Sequence, residues 1–169
     1  MPPARFASLE TPIGRLWLTA TDVGLRSIDR GDHAELTGIP DPDGLAEAIG
    51  QVAAYFAGTL RDFSLRLDLR DRSAFDAAVW HAAMVIPHGE TRSYGDLAAD
   101  VGAPRAARAV GGALARCPLF PIVPCHRVIH ADGSLGGWGT ELWVKRWLLR
   151  HEGAAVVLRR IRASHSPRG

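Results

Sequence analysis

The hydrophobic pattern changes its period near residue 72, and this change constrains the fold more than any other feature of the chain. Alternating apolar residues predict half-buried strands at 6–9, 16–21, 24–28 and 63–69. Residues 43–57 instead carry apolar side chains three and four positions apart, the spacing of an amphipathic helix. Residues 31–44 are polar and rich in Pro and Gly, which predicts a loop. A small sheet with one helix is therefore expected over residues 1–71.

Residues 72–153 have the pattern of a second, mainly helical domain. Two capping boxes, each a serine followed three positions later by an aspartate, predict helix starts at Ser73 and Ser93. A tight turn at 102–103 then leads into a helix predicted at 104–116. Two short helices joined by such a turn indicate a helix-turn-helix.

The helix at 104–116 is rich in Ala and Gly and carries Arg105, Arg108 and Arg116. Small side chains allow close approach to another surface, either of a protein or of DNA. The arginines favour a DNA groove.

Charge is divided unevenly along the 169 residues. Residues 1–101 carry 9 basic and 15 acidic side chains, whereas residues 102–169 carry 11 basic and 3 acidic ones. A basic half is typical of a nucleic-acid partner, although a solvated basic face is the alternative. No apolar run is long enough for a membrane span, and the N-terminus lacks a secretory signal, so a cytoplasmic protein is expected.

Three prolines interrupt the chain before Cys125, at 118, 121 and 124, and exclude a continuous helix there. The alternation at 125–130 predicts a strand, which a turn at 131–134 closes. A glycine-rich loop surrounds Trp138, and a last amphipathic helix is expected from about Glu141 to Glu152. Residues 154–169 are predicted to be a poorly ordered basic tail.

The pair Cys125-His126 is the strongest candidate for chemistry. A basic neighbour lowers the pKa of a thiol and so activates it as a nucleophile. On a strand, however, the two side chains would point to opposite faces, and a buried inert cysteine beside a surface histidine is the alternative. Cys117 and Cys125, the two cysteines, fit no zinc motif, and a disulfide is not expected in a reducing compartment.

Several ordered motifs, IPHGETRSYGDLA, RAARAVGGAL, VPCHRVIHADGSLGGWG and KRWLLRHEG, resemble the O6-alkylguanine-DNA alkyltransferases, also called methylated-DNA-protein-cysteine methyltransferases. The resemblance extends from about residue 75 to 153 and, more weakly, into the first domain. It implies an α/β (α+β) fold: a ribonuclease-H-like domain at 1–71, then a winged helix-turn-helix domain at 72–153.

The resemblance also implies a role for each matching residue. Cys125 would accept the alkyl group, His126 would be its base through a water, and Glu152 would orient His126. The substrate-binding residues would be Tyr94, Val128, Trp138, Gly139 and Lys145. Arg108 would fill the space left by a flipped base, and further DNA contacts would come from Arg105, Arg116, Gly95, Ala103 and Ala131.

The implied function is stoichiometric repair of O6-alkylguanine, and of O4-alkylthymine, in double-stranded DNA by a monomer that needs no cofactor or metal. Two alternatives stay open: a DNA-binding protein without transfer activity, and a cysteine hydrolase. The sequence departs from the family at Cys117, usually asparagine, at Trp138, usually tyrosine, and at Thr140-Glu141. Because Cys117 has no neighbouring base, its thiol is expected to stay protonated and apart from the chemistry.

Overall fold

The structure, a computed structural model, describes residues 2–32, 36–138 and 141–154. The chain divides into two units, residues 1–71 and 72–169. The first is a sheet with a helix and the second is mainly helical, which confirms the predicted α/β (α+β) class. In the described ranges, no helix is both long and apolar enough to cross a membrane.

The first unit is a four-stranded sheet in the order β3-β2-β1-β4. Its strands are β1 (Arg5–Thr11), β2 (Gly14–Ala20), β3 (Leu25–Arg30) and β4 (Ile39–Pro40). The pairs β1-β2 and β2-β3 are antiparallel, and β4 pairs with β1 in parallel. Helix α1 (Ala46–Phe56) contacts β1, and its Val52 is fully buried together with Leu16 and Leu18 of β2.

Two expectations for this unit are wrong. The segment 63–69 is not a strand, since it forms only a single bridge, between Leu67 and Leu25. Side-chain hydrogen bonds hold its start instead: the Ser64 amide donates to Gln51 Oε1 at 2.9 Å, and Gln51 Nε2 donates to Ser64 Oγ at 3.0 Å. Within the predicted loop 31–44, residues 39–40 pair with β1 as β4.

The second unit contains helices α2 (Ala74–Met84), α3 (Tyr94–Asp100), α4 (Ala107–Ala115) and α5 (Leu142–His151). The Ser93-Asp96 capping box is complete, as predicted. At the start of α2, the Ser73 hydroxyl accepts a hydrogen bond from the Asp76 amide. The Asp76 carboxylate pairs with Arg116, however, so this second box is only half formed.

Helices α2, α3 and α4 contact one another around the buried side chains of Val79, Leu97 and Val110. Trp80 is also fully buried, and its indole N–H donates to the Ala113 carbonyl at 2.8 Å, which fixes α4 against α2. Helix α4 begins at Ala107 rather than at Pro104, because the chain first closes a turn in which the Ala106 amide donates to the Ala103 carbonyl at 2.8 Å.

A short parallel pair joins two distant parts of the second unit. Strand β5 (Arg92–Ser93) pairs with β6 (Val128–Ile129). Tyr94 follows β5 directly and Cys125 lies just before β6, so this pairing brings the start of α3 beside the proline-rich segment.

Candidate active site

Cys125 lies in one turn of 3-10 helix, Cys125–Arg127, and not in the strand predicted at 125–130. The strand is limited to β6, because the backbone after Pro124 closes turn hydrogen bonds: the Arg127 amide donates to the Pro124 carbonyl at 2.9 Å. Side chains in such a turn do not alternate between two faces. Successive side chains of this turn are about 120° apart: Cys125 lines the cavity described below, whereas the buried His126 ring contacts Glu152.

His126, Arg127 and Glu152 form a buried network. His126 Nε2 is 2.7 Å from Glu152 Oε1. Arg127 donates two hydrogen bonds to the same carboxylate from one edge of its guanidinium, Nε to Oε2 at 2.8 Å and Nη2 to Oε1 at 2.9 Å, and its Nη1 donates to the Ile86 carbonyl at 2.6 Å. Glu152 is the residue that ends α5, so this helix positions the carboxylate.

Electrostatics fix the charge state of this network. Burial disfavours the ionised carboxylate, but the hydrogen bonds from His126 and Arg127 outweigh it and hold the pKa of Glu152 well below its usual value. Burial lowers the pKa of His126, against the opposing effect of Glu152, so the imidazole is neutral at neutral pH. Since a carboxylate only accepts hydrogen bonds, Nε2 carries the proton and Nδ1 is the basic atom. Nδ1 is buried and has no hydrogen-bond partner among the described residues.

Lys145 of α5 is buried between the active-site segment and the loop that follows it. Its Nζ donates to the Val128 carbonyl at 2.7 Å, to the Leu135 carbonyl, and to Tyr94 Oη at 3.4 Å. Burial lowers the pKa of Lys145 to about 8. The Val128 carbonyl, predicted to bind substrate, thus already accepts a hydrogen bond from Lys145.

Tyr94 is held in place from several sides. Its ring lies 5.1 Å from that of His130, and the Lys145 ammonium is 5.6 Å from the ring centre. Burial raises the pKa of Tyr94, so its hydroxyl is protonated and able to donate. The backbone at Gly136 approaches the tyrosine closely: a Cβ there would lie 2.5 Å from Tyr94 Oη.

A cavity of about 840 Å³ opens beside these groups. Five of the predicted site residues line it: Tyr94, Arg108, Cys125, Trp138 and Lys145. The Trp138 ring packs edge-on against Phe120 at 5.9 Å between centroids. The volume is within the range of small-molecule sites and large enough for a purine.

Cys117 also lines this cavity and neighbours Cys125. The neighbouring Cys117 thiol and burial raise the pKa of the Cys125 thiol, whereas the interaction with Cys125 lowers the pKa of Cys117. The expectation that the surroundings of Cys125 lower the pKa of its thiol is wrong. That Cys117 stays protonated and apart from the chemistry stays a prediction. The acceptor candidate is a neutral thiol that must lose its proton to react.

The predicted DNA-binding residues are spread over the helix-turn-helix and the turn after β6. Arg108 is exposed in the first turn of α4, Arg105 is exposed in the turn before it, and Gly95 and Ala131 are exposed as well. Ala103 is half-buried in the turn before α4. Arg116 is ion-paired with Asp76 at 2.7 Å, which lowers the pKa of that carboxyl. Gly139, predicted as part of a lid with Trp138, and the tail from residue 155 lie outside the described residues.

Arg127 is the site residue that sequence reasoning missed. It is 5% exposed and neutralises the carboxylate that also binds His126. The available signal was its place inside the motif PCHRV, directly after the two residues assigned a role.

Comparison with known proteins agrees with this geometry. A family model described as the DNA binding domain of 6-O-methylguanine DNA methyltransferase matches residues 74–154, and one described as its ribonuclease-like domain matches residues 4–69. Fold and site thus define a DNA-binding methyltransferase. The chain belongs to the 6-O-methylguanine DNA methyltransferase family, whose enzyme class is the methylated-DNA–protein-cysteine methyltransferases of DNA repair.

Individual relatives cover nearly the whole chain. A methylated-DNA–protein-cysteine methyltransferase of Mycolicibacterium paratuberculosis is 45% identical over 90% of this chain and 97% of its own. The solved structure of Mycobacterium tuberculosis OGT in complex with DNA is 43% identical, with a TM-score of 0.80 over 92% of this chain and 98% of its own. A Thermus thermophilus relative, 42% identical over 86% of this chain and 98% of its own, is named a DNA base-flipping protein.

Proposed function

We propose that the protein repairs O6-alkylguanine in DNA by moving the alkyl group to Sγ of its own Cys125, once per molecule. The observation that carries this proposal is the position of Cys125: it lies at a cavity large enough for a purine, and His126 of the buried network follows it directly in the chain. A nucleophile, a base and an orienting carboxylate are the groups that such a transfer needs.

The substrate must leave the double helix to react. The O6 atom is on a base edge inside the duplex, where a thiol cannot attack the alkyl carbon in line, so the base is flipped out. Arg108 projects from α4 at the cavity, and in our proposal it fills the vacated space. Small residues such as Gly111 and Gly112 leave the helix close enough to the groove for this insertion.

The transfer balances without an outside reactant. His126 Nδ1 takes the Cys125 proton through a bridging water, and the imidazolium that forms is stabilised by Glu152. The thiolate attacks the alkyl carbon, a C–S bond forms, and the C–O6 bond breaks with its electron pair passing to guanine. Tyr94 donates a proton to the leaving base, and Lys145, 3.4 Å from its oxygen, stabilises the negative charge left there.

A thioether is not cleaved by acid-base groups of this kind, so each molecule reacts once. The nucleophile, base and acid are all side chains, and the proposal therefore includes no cofactor or metal. We further propose that O4-alkylthymine is accepted, and that the protein acts as a cytoplasmic monomer built from domains at 1–71 and 72–153. Competition between oligonucleotides that carry O6-methylguanine and O4-methylthymine tests the substrate range. Analytical ultracentrifugation measures the mass of the protein in solution and so tests whether it is a monomer.

The decisive test is the intact mass of the protein after incubation with a duplex that carries one O6-methylguanine. We expect a gain of one methyl group, and no gain in Cys125→Ala, which still binds the duplex. Binding without any mass gain in the unaltered protein would favour the alternative of a DNA-binding protein that flips bases without transfer. Release of the alkyl group to water, with the protein mass unchanged, would favour a hydrolase.

A further inference from the structure

The two cysteines are brought together by the segment that links them. Cys117 follows α4, and its amide donates to the Leu114 carbonyl at 3.1 Å. Residues 118–124 then turn back through buried Leu119 and Val123 into the 3-10 helix that begins at Cys125. Because both ends of this segment are anchored, the position of one thiol relative to the other is set by the fold.

The positions and the exposure of Cys117 and Cys125 favour a reaction between their two thiols. Both residues are free thiols, both line the same cavity, and each lies close enough to the other to shift its pKa. A disulfide between them requires the two sulfurs to approach to about 2.05 Å, which neighbouring thiols that share one cavity reach by side-chain rotation. Cys117 is half-buried and Cys125 is 5% exposed, so a small oxidant in the cavity meets Cys117 more readily.

We propose that Cys117 and Cys125 are a modification site: they form a reversible intramolecular disulfide when a hydroperoxide enters the cavity. The inference goes beyond the alkyl transfer proposed above, and it depends on the two thiols alone.

The chemistry proceeds in two balanced steps. The sulfur of Cys117 attacks the peroxide, the O–O bond breaks, and a sulfenic acid forms with release of water. The sulfur of Cys125 then attacks the sulfenic sulfur, an S–S bond forms, and a second water leaves. Two thiols lose two electrons and two protons in all, and hydrogen peroxide is reduced to two waters. A dithiol reductant reverses the change by thiol-disulfide exchange.

The consequence is a reversible block of the residue that we propose as the alkyl acceptor. A sulfur held in a disulfide is not a thiolate and cannot take an alkyl group. It is also kept from oxidation to sulfinic and sulfonic acids, which dithiols do not reverse.

One tryptic peptide reports on the pair directly, because cleavage after Arg116 and Arg127 leaves both cysteines in residues 117–127. The folded protein is treated with dilute hydrogen peroxide, its remaining free thiols are blocked with N-ethylmaleimide, and it is digested with trypsin. The mass of the peptide 117–127 is then measured by mass spectrometry. We expect this peptide to lose two hydrogen atoms and to take up no maleimide, and dithiothreitol to restore two maleimide sites. A peptide that keeps both thiols, that carries oxygen on single sulfurs, or that is linked to a second chain would overturn the proposal.

Cys117→Ser is the matched control, since its hydroxyl keeps a hydrogen-bonding group beside Cys125 and cannot form the bond. After peroxide, transfer by the unaltered protein should fall by about tenfold or more and return with dithiothreitol, whereas loss in Cys117→Ser should persist. Equal recovery in both proteins would contradict a protective disulfide. The peptide mass does not depend on alkyl transfer, so it tests the disulfide even if the protein transfers no alkyl group.

Discussion

Gly136 shows how a single residue shapes the candidate site. Its backbone has φ of +76°, a left-handed conformation that residues with a Cβ rarely adopt. A side chain there would also meet the hydroxyl of Tyr94, the group proposed to protonate the leaving base. The position therefore requires glycine for two independent reasons.

We expect Gly136→Ala to lower the free energy of unfolding by roughly 1–3 kcal/mol and to slow reaction with free O6-benzylguanine by displacing Tyr94. Gly102→Ala is the matched control, because Gly102 has the same φ of +76° but a Cβ there meets no described atom within 4 Å. Urea unfolding and single-turnover rates measure both effects. Similar results for the two variants would show that the contact with Tyr94 does not constrain the site.

Glu152→Gln tests the buried network. The change leaves the Arg127 guanidinium without its counter-charge, so we expect a loss of about 3–5 kcal/mol in the free energy of unfolding at neutral pH. The folded-state pKa of Glu152 lies below its ordinary value of 4.5, so its contribution is present above that pH and is lost as pH falls below it. Urea unfolding should show the difference between the two proteins shrinking in acid. A difference below about 1 kcal/mol at neutral pH would contradict a stabilising role.

At the residue scale, the sequence motifs named the candidate side chains but not their contacts. Cys125 and His126 stand in one motif and Glu152 stands in another, and the structure joins His126 to Glu152 at 2.7 Å. The contact between Cys117 and Cys125 depends on how residues 118–124 fold back, which no local pattern encodes. The two hydrogen bonds from Arg127 to Glu152 likewise depend on where α5 ends, since that places the carboxylate.

At the element scale, local signals predicted the helices and also the strands at 6–9, 16–21 and 24–28, whose bounds differ from those of β1, β2 and β3 by at most two residues. The Ser93 capping box marks the start of α3 because its hydrogen bonds lie within one turn. The strands expected at 63–69 and 125–130 failed for a different reason: a ladder needs a distant partner, and alternation alone does not supply one. In the first segment, Ser64 forms hydrogen bonds with the Gln51 side chain instead of a strand ladder. In the second, the chain after Pro124 forms a turn of 3-10 helix.

Helix α4 carries the prediction that belongs to this scale. Arg108 lines the cavity, so Arg108→Ala should slow repair of duplex DNA by at least about tenfold while leaving the reaction with free O6-benzylguanine nearly unchanged. Arg105→Ala is the control, because it removes an equal charge from the turn just before the same helix, at a residue outside the cavity lining. It should weaken DNA binding without changing the rate at saturating duplex. Equal slowing on both substrates in Arg108→Ala would assign Arg108 to the fold.

For the whole molecule, the uneven charge of the chain predicts how DNA binding responds to salt. The excess of basic side chains lies in residues 102–169, together with the helix-turn-helix. Affinity for undamaged duplex should therefore fall steeply with salt, by about 0.9 in the logarithm of affinity per phosphate contact for each tenfold rise in salt. Arg116→Ala should change this slope less than Arg105→Ala, because Arg116 is already paired with Asp76. A flat response would remove the charge argument for DNA binding.

The central claim is that Cys125 alone accepts the alkyl group, and the location of the methyl group in the peptide 117–127 tests it most directly. The protein is reacted with an excess of duplex carrying O6-methylguanine and digested with trypsin, and that peptide is fragmented. We predict one methyl group per molecule, on Cys125 only, in the unaltered protein and in Cys117→Ser alike. A methyl group on Cys117, or no methyl group on either cysteine, would contradict the claim.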